Sequence, residues 1–410
     1  MAQVALADDS KSLAGSLDSL AQHLTTMAET IRNSPAPPED LKDERNRVAN
    51  AAEALLKEIK PADPIMSAMV SIVQFTAIRL FVEWKAFDII SSAGTIAYTD
   101  LAEKIDADVS LVVRMASMLV STGVLKQVGD DRVASTPVSS NFVSSSPSTA
   151  IIKMGFDGHL KTLISMPAYF DHYGRKEPTG RYDTIHAFAE GDPKLTVWEH
   201  TNKNPEQKAI FMTAMLAMAS RMPMTGSYDY GWVLEKIEES PSRVLLVDVG
   251  GGKGHALEAI HKVTPGLPMK RCVVEDLQEV VDEAKATAKG ELVDAQYIGM
   301  DFHSEQPVKG ACIYYIRRCL HDYGDDVCVE ILQQLRNAMA VDSRVLIVEQ
   351  VLGNPPLPFA AANDIYMVTL GGKERSLKTF TDITSRAGLK IAKVHPTPGS
   401  DVAVIECQKA

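Results

Sequence analysis

The chain has 410 residues, 45% of them hydrophobic and 23% charged, with a formal net charge of −11; that composition can build two or three packed domains and excludes a general nucleic-acid binder, which needs a basic footprint. Cysteines 272, 312, 319, 328 and 407 lie in apolar segments without a CxxC pair, which favours free buried thiols in a reducing compartment over disulfides or a zinc site. The N-terminus lacks a basic segment leading an apolar run, and no uninterrupted apolar stretch approaches the roughly 20 residues of a membrane span, so the expectation is a cytoplasmic protein with no membrane partner.

In chain order, Leu13, Leu17, Leu20, Leu24, Met27 and Ile31 recur at alternating spacings of 4 and 3. Such a narrow helical seam suits pairing with a second subunit, although it could also cap the core of its own chain. "SPAPPED" (34–40) ends that helix, and a second is predicted over about 41–60 with Val48, Ala52, Leu55, Leu56 and Ile59 on one face. From 62 to about 140 the pattern is three helices and then a hairpin turning at Gly129–Asp131, a winged-helix outline. Winged helices often bind DNA. Here residues 99–135 set Lys104, Arg114, Lys126 and Arg132 against six acids, and phosphate contacts need positive charge. The module is therefore read as structural, with a domain boundary near 150.

Residues 150–230 read as helical, with Met212, Met215, Met218 and Met222 at helical spacing. Such a stripe is ordinarily core, yet methionine also lines pockets that must fit varied apolar ligands. From 243 to 408, short β-branched runs (244–249, 271–275, 312–316, 344–349) alternate with amphipathic helices, the mark of an α/β fold with a mostly parallel sheet. "LKIAKVHP" and "DVAVIEC" close the chain as an antiparallel pair expected at the sheet's edge.

"VLLVDVGGGKGHALEAI" (244–260) is a strand, a glycine turn and a helix. The phosphate loop GxxxxGK[ST] is absent, and GxGxxG fails because its third glycine would fall on His255. D-x-G-x-G-x-G does fit, on Asp248, Gly250, Gly252 and Gly254. An acid inside the turn repels phosphate and attracts an amine, so the expected ligand combines an amine, a carboxylate and a nucleoside. S-adenosylmethionine has those parts. Asp276, with Glu275 as a weaker candidate, ends the next strand and suits the ribose hydroxyls. Asp301 and Phe302 at a third strand end suit the adenine amine and ring face.

"CLHDYGDD" (319–326) places His321 at the same ligand-binding edge, while Asp322 or Asp325 can cap the helix that follows. Glu349 and Glu374 come at neighbouring strand ends. A neutral imidazole takes a phenolic proton efficiently when a carboxylate holds its other N–H.

These residues resemble the caffeate/hydroxyindole type of S-adenosylmethionine-dependent O-methyltransferases, in particular the branch acting on fungal secondary metabolites. "LVDVGGGKG", "LHDY", "VEQVL" and "GGKERS" follow the family's order, although "EDLQ" replaces the common "DLP" and Tyr323 stands where tryptophan is usual. The resemblance covers nearly the whole chain. It implies a helical and winged-helix dimerisation domain over 1–150 and a Rossmann-like class I methyltransferase domain, with a mostly parallel seven-stranded sheet, over 151–410. The substrate-binding helices would span 151–235. It further implies His321 as base flanked by Glu349 and Glu374, and cofactor contacts from Gly250, Asp276, Leu277, Asp301, Phe302 and Arg317. Met215, Asp364 and Met367 would line the acceptor pocket of a homodimer. No metal is expected, and S-adenosylhomocysteine is the expected product. Some members of this type keep the fold and the cofactor yet catalyse pericyclic reactions; the intact histidine favours methyl transfer to an aromatic hydroxyl. A scaffold or transcriptional role for the winged helix is the third reading, opposed by its acidic balance.

Overall fold

The computed structural model describes residues 2–33, 48–49, 51–52, 55, 63–219 and 222–410. The expected helix at 41–60 lies largely outside the described residues, as do the side chains of Leu13 and Ile31 in the leucine seam. The chain divides into two compact units, Met1–Val138 and Ser139–Ala410.

In the first unit, the seam helix Ala2–Asn33 leaves Leu17 and Leu24 exposed. A second long helix, Pro64–Glu83, starts where Asp63 accepts hydrogen bonds from the backbone N–H groups of Ile65 and Met66, with proline in the first turn. This helix departs from expectation: at 20 residues it is long and apolar enough to cross a membrane, with a mean hydropathy of 1.8 over its best window. Ser71 and Thr76 interrupt the apolar run in the sequence, but their hydroxyls donate back to the carbonyls of Ser67 and Ile72 and leave the helix unbroken. Its C-terminal half buries Ala77, Ile78, Phe81 and Val82, whereas Ile65, Met66, Met69, Val70, Ile72 and Val73 are exposed within the unit. Helices Ala86–Ala93, Tyr98–Lys104 and Val109–Ser121 then pack with strands β1 (Thr95–Ala97), β2 (Leu125–Val128) and β3 (Arg132–Ser135). The antiparallel order β1-β3-β2 completes the winged helix, around a core of Leu101, Val112, Ala116, Leu119 and Val133.

The second unit opens with short helices and then carries one large sheet. Among the described side chains of helix Pro205–Ala219, Ala214 and Ala217 are the buried ones, while Met212 and Leu216 are exposed and Met215 and Met218 half-buried. The methionine stripe is thus not core. The small alanine face packs against the helix Ser148–Lys153 and leaves the long thioethers outward.

The sheet comprises β4 (Leu246–Val249), β5 (Cys272–Asp276), β6 (Gln296–Gly299), β7 (Ile313–Arg317), β8 (Arg344–Leu352), β9 (Arg375–Ser376), β10 (Leu389–Pro396) and β11 (Val402–Lys409). Its order is β10-β11-β8-β7-β4-β5-β6, with β9 pairing the end of β8. Strands β6, β5, β4, β7 and β8 run parallel. One face buries helices Asp325–Ala338 and Leu377–Arg386 and the other His255–Val263. Chain order reverses between β7 and β4, and at such a reversal a crevice opens at the carboxyl ends of the strands. The closing strands do pair antiparallel, but only β10 forms the edge. Strand β11 is inserted between β10 and β8, bonded on both sides.

Candidate active site

The crevice is built strand end by strand end. Strand β4 is buried along its whole length and carries Asp248 with it, 2% exposed. Beyond it the chain turns through Gly250, Gly252 and Gly254, all at positive φ. At Gly250 a side chain has no room: a Cβ there would stand 2.7 Å from Cys319 Sγ and 3.4 Å from the Phe302 ring. Asp248 Oδ2 is buried without a hydrogen-bond partner among the described residues. Burial raises its carboxyl to about 7, against the pull of Arg317 and with a push from Asp276. The Leu257 backbone also hydrogen-bonds this carboxylate, but a buried carboxylate oxygen without a partner calls for a donor, so the residues fit an amine-bearing ligand.

The next acid is already employed. Asp276 at the end of β5 accepts from Gly252 N through Oδ2 and from Leu277 N through Oδ1, both at 2.8 Å; it fixes the turn and keeps further lone pairs for hydroxyl donors. Leu277 is exposed beside it. Glu275 points away into the core, where it accepts from Gln306 Nε2 at 2.8 Å and burial lifts it to about 7. After β6, Asp301 Oδ1 lies 3.0 Å from the backbone N of His303 and 2.7 Å from its Nδ1. The rings of Phe302 and Tyr323 each lie 5.0 Å from that of His303. This aromatic cluster beside the glycine turn suits a flat base; sequence reasoning found Phe302 and missed His303. Arg317 ends β7, donating through Nη2 to Met222 O at 3.3 Å, with its Nε buried and unpartnered among the described residues.

His321 lies on a 3-10 turn, Leu320–Asp322, just beyond β7. Its Nδ1 is 2.9 Å from Glu374 Oε1, and both side chains are buried. Asn363 Nδ2 donates to the same oxygen at 2.6 Å and to Gln350 Oε1 at 3.2 Å. Glu349 serves differently. Its Oε1 accepts from the backbone N–H groups of Cys319 and Leu320, each at 3.0 Å, and so holds the turn that carries the histidine. Ligand atoms of His321, Glu349 and Glu374 lie within 4.8 Å of one another. Burial alone would lower the imidazole pKa. The Asp322 and Glu349 charges and the Glu374 hydrogen bond outweigh it and lift the group to about 9, with Arg318 opposing. These carboxylates favour the protonated imidazole in the ligand-free site.

Two expectations about neighbouring acids change. Asp322 does not cap a helix: it lies 3.5 Å from His321 Nε2. The helix begins at Asp325 behind Gly324, with no side-chain cap, and Asp325 pairs with Arg375 at 2.8 Å. Of the residues expected to line an acceptor pocket, Met367 is buried and Asp364 half-buried on helix Pro358–Leu370, and Met215 is half-buried on its own helix. Asp364 Oδ1 accepts from Glu374 N at 2.8 Å, so it steadies the carboxylate that holds His321. Asn363, its neighbour in "NDIYM", makes the direct contact. The only sequence signal for Asn363 was that adjacency.

A parallel sheet in this order, with a glycine turn after its first strand, acids at successive strand ends and a buried His–Glu pair, defines a class I methyltransferase with a helical and winged-helix N-terminal unit. Comparison with known proteins then places it: the chain belongs to the O-methyltransferase family, whose O-methyltransferase domain matches residues 175–390 and whose dimerisation domain matches 65–145. The chain is 38% identical over 403 residues to methyltransferase cfoD of Aspergillus candidus, covering 96% of this chain and 99% of that protein. It is 34% identical to methyltransferase fsa4 of Fusarium sp. (strain FN080326), over 84% and 95% of the respective chains. Solved structures share the fold. OxaC in complex with SAH and oxaline superposes with a TM-score of 0.82 at 24% identity, over 98% of this chain and 100% of that one. LepI in complex with SAM gives 0.78 at 21%, over 96% and 100%.

Proposed function

We propose that the protein transfers a methyl group from S-adenosylmethionine to a hydroxyl of an aromatic, phenolic or polyketide-like secondary metabolite, with His321 as general base. The observation that carries this reading is the buried His321–Glu374 pair at the ligand edge of the sheet. Bound S-adenosylmethionine supplies an electrophilic methyl on a sulfonium. Asp248, Gly250, Gly252, Asp276, Leu277, Asp301, Phe302 and Arg317 would hold it, the unpartnered Asp248 carboxylate taking the amine. Glu374 holds Nδ1, so the acceptor's proton would pass to Nε2, which has Asp322 3.5 Å away; Glu349 fixes the turn beneath it. The imidazole must first lose its proton, and a positive charge entering this carboxylate-rich cavity lowers its pKa towards neutral. Met215, Asp364 and Met367 belong to the acceptor side of the site. OxaC was crystallised with SAH and oxaline and LepI with SAM, which supports the cofactor and a small-molecule acceptor here. We further assign a homodimer through the first unit, and the cytoplasm, where five buried free thiols stay reduced.

The test incubates the protein with methyl-labelled cofactor and a panel of phenols, beside His321→Ala. Loss of about 10²–10⁴ in methyl transfer is expected, with S-adenosylhomocysteine affinity unchanged. Equal turnover by both proteins would remove the base assignment. Tight cofactor binding with no acceptor methylated would favour a pericyclic reaction instead.

A further inference from the structure

The segment Gly371–Arg375 delivers Glu374, and it also grips the turn that carries the histidine. Arg375 is 1% exposed. Its Nη1 donates to Leu320 O at 2.9 Å and Lys373 O at 3.2 Å, its Nη2 to Tyr323 O at 2.6 Å, and its Nε to Asp325 at 2.8 Å. Leu320 and Tyr323 bracket His321 and Asp322, so one guanidinium spans the whole turn. From the other side, Lys373 N donates to His321 O at 2.9 Å. Gly372 lies so close beneath that any Cβ there would collide with His321 O.

We propose that Arg375 is the positioning residue for His321, locking the turn that bears the imidazole and the segment just before β9 that bears Glu374 into one rigid body. This rests on the reading of His321 as base. A buried arginine persists only if its charge and donors are answered. Here three carbonyls answer the donors and Asp325 the charge. Burial pushes the Asp325 carboxyl up, but Arg375 and Lys373 outweigh it and hold it below its usual value. The planar fork reaches carbonyls three residues apart and a carboxylate at once, which a lysine ammonium cannot do. If the fork is lost, the His321 turn and Glu374 move independently and the 2.9 Å contact between them loosens. Of the other charged groups facing the imidazole, Asp322 travels with the same turn, while Glu349 and Arg318 lie outside the span that the guanidinium bridges.

The test uses the full chain carrying Arg375→Lys. S-adenosylhomocysteine binding is measured by calorimetry, and His321 is titrated by imidazole NMR, its signal assigned from a His321→Asn control. The expected result is cofactor-product affinity within about twofold of wild type and a His321 pKa lower by about one unit, the scale of a weakened neighbouring carboxylate. A His321 titration identical to wild type in protein that binds the product normally overturns the proposal. Should Arg375→Lys not fold, Asp325→Asn is scored in the same way, since it keeps the guanidinium and removes the contact that sets its angle. Methyl transfer surviving His321→Ala would defeat the base assignment, while the titration would still decide the role of Arg375.

Discussion

His321 has a carboxylate near each ring nitrogen, Glu374 at 2.9 Å from Nδ1 and Asp322 at 3.5 Å from Nε2. The division of labour between the two glutamates makes a stability prediction. Glu349→Ala strands two backbone donors in a buried turn and should cost about 1–3 kcal/mol in denaturant unfolding. Glu349→Gln keeps an acceptor oxygen and should cost far less, while still lowering the His321 pKa by removing a charge. Equal destabilisation by the two variants would mean that the charge, not the hydrogen bonds, carries the effect. Asp276 was legible because it ends the apolar run of β5, but the placement of two other acids differs from expectation: Glu349 lies three residues inside β8 and Glu374 just ahead of β9. Asp322, Asn363 and Arg375 were not legible. Each acts through a contact with a segment distant in the chain or through a neighbour's backbone, and a local capping rule offered Asp322 a sufficient alternative.

At the scale of elements, helix Pro64–Glu83 leaves Met69 at 56% and Ile72 at 54% exposure within its unit. An apolar face of that extent on a segment matched by a dimerisation domain suits a second copy of the chain. Met69→Lys places a charge there, and sedimentation should show the dimer giving way to monomer. A variant that stays dimeric would move the interface elsewhere, the Leu17 and Leu24 seam being next to try. The strands were readable from β-branched runs and the helices from their periodicity. The placement of β11 was not, because β10 and β11 carry similar alternating patterns and nothing local says which of two antiparallel strands bonds to β8. The length of the 64–83 helix was missed because its serine and threonine hydroxyls bond within the helix, which composition alone does not reveal.

At the scale of the whole molecule, burial raises the acids Asp248 and Glu275 but lowers the imidazole of His186 to about 4. Asp248 and Glu275 have native pKa values near 7, well above their unfolded values of 3.8 and 4.5. At these two sites the native state therefore binds more protons than the unfolded chain between about pH 4 and 7, and the stability they contribute is lost as pH rises through that window. His321, raised from 6.5 to about 9, stabilises fully below 6.5 and loses that contribution as pH climbs to 9. The melting temperature of the ligand-free protein should therefore fall steadily from pH 6 to 9. Saturating S-adenosylhomocysteine should flatten the part due to Asp248, and Asp248→Asn should remove it. A flat profile in scanning fluorimetry would contradict the buried charges described here.

The insertion of β11 between β10 and β8 also orders events at the ribosome. The strand that backs Glu349, with Ala403 opposite it, is synthesised after all five parallel strands, and beyond it Ala410 N donates to Gly388 O. Five parallel strands can assemble first, and the sheet behind His321 closes only once β11 has been made. The growing chain therefore carries an open strand edge along β8 until β11 arrives to cover it.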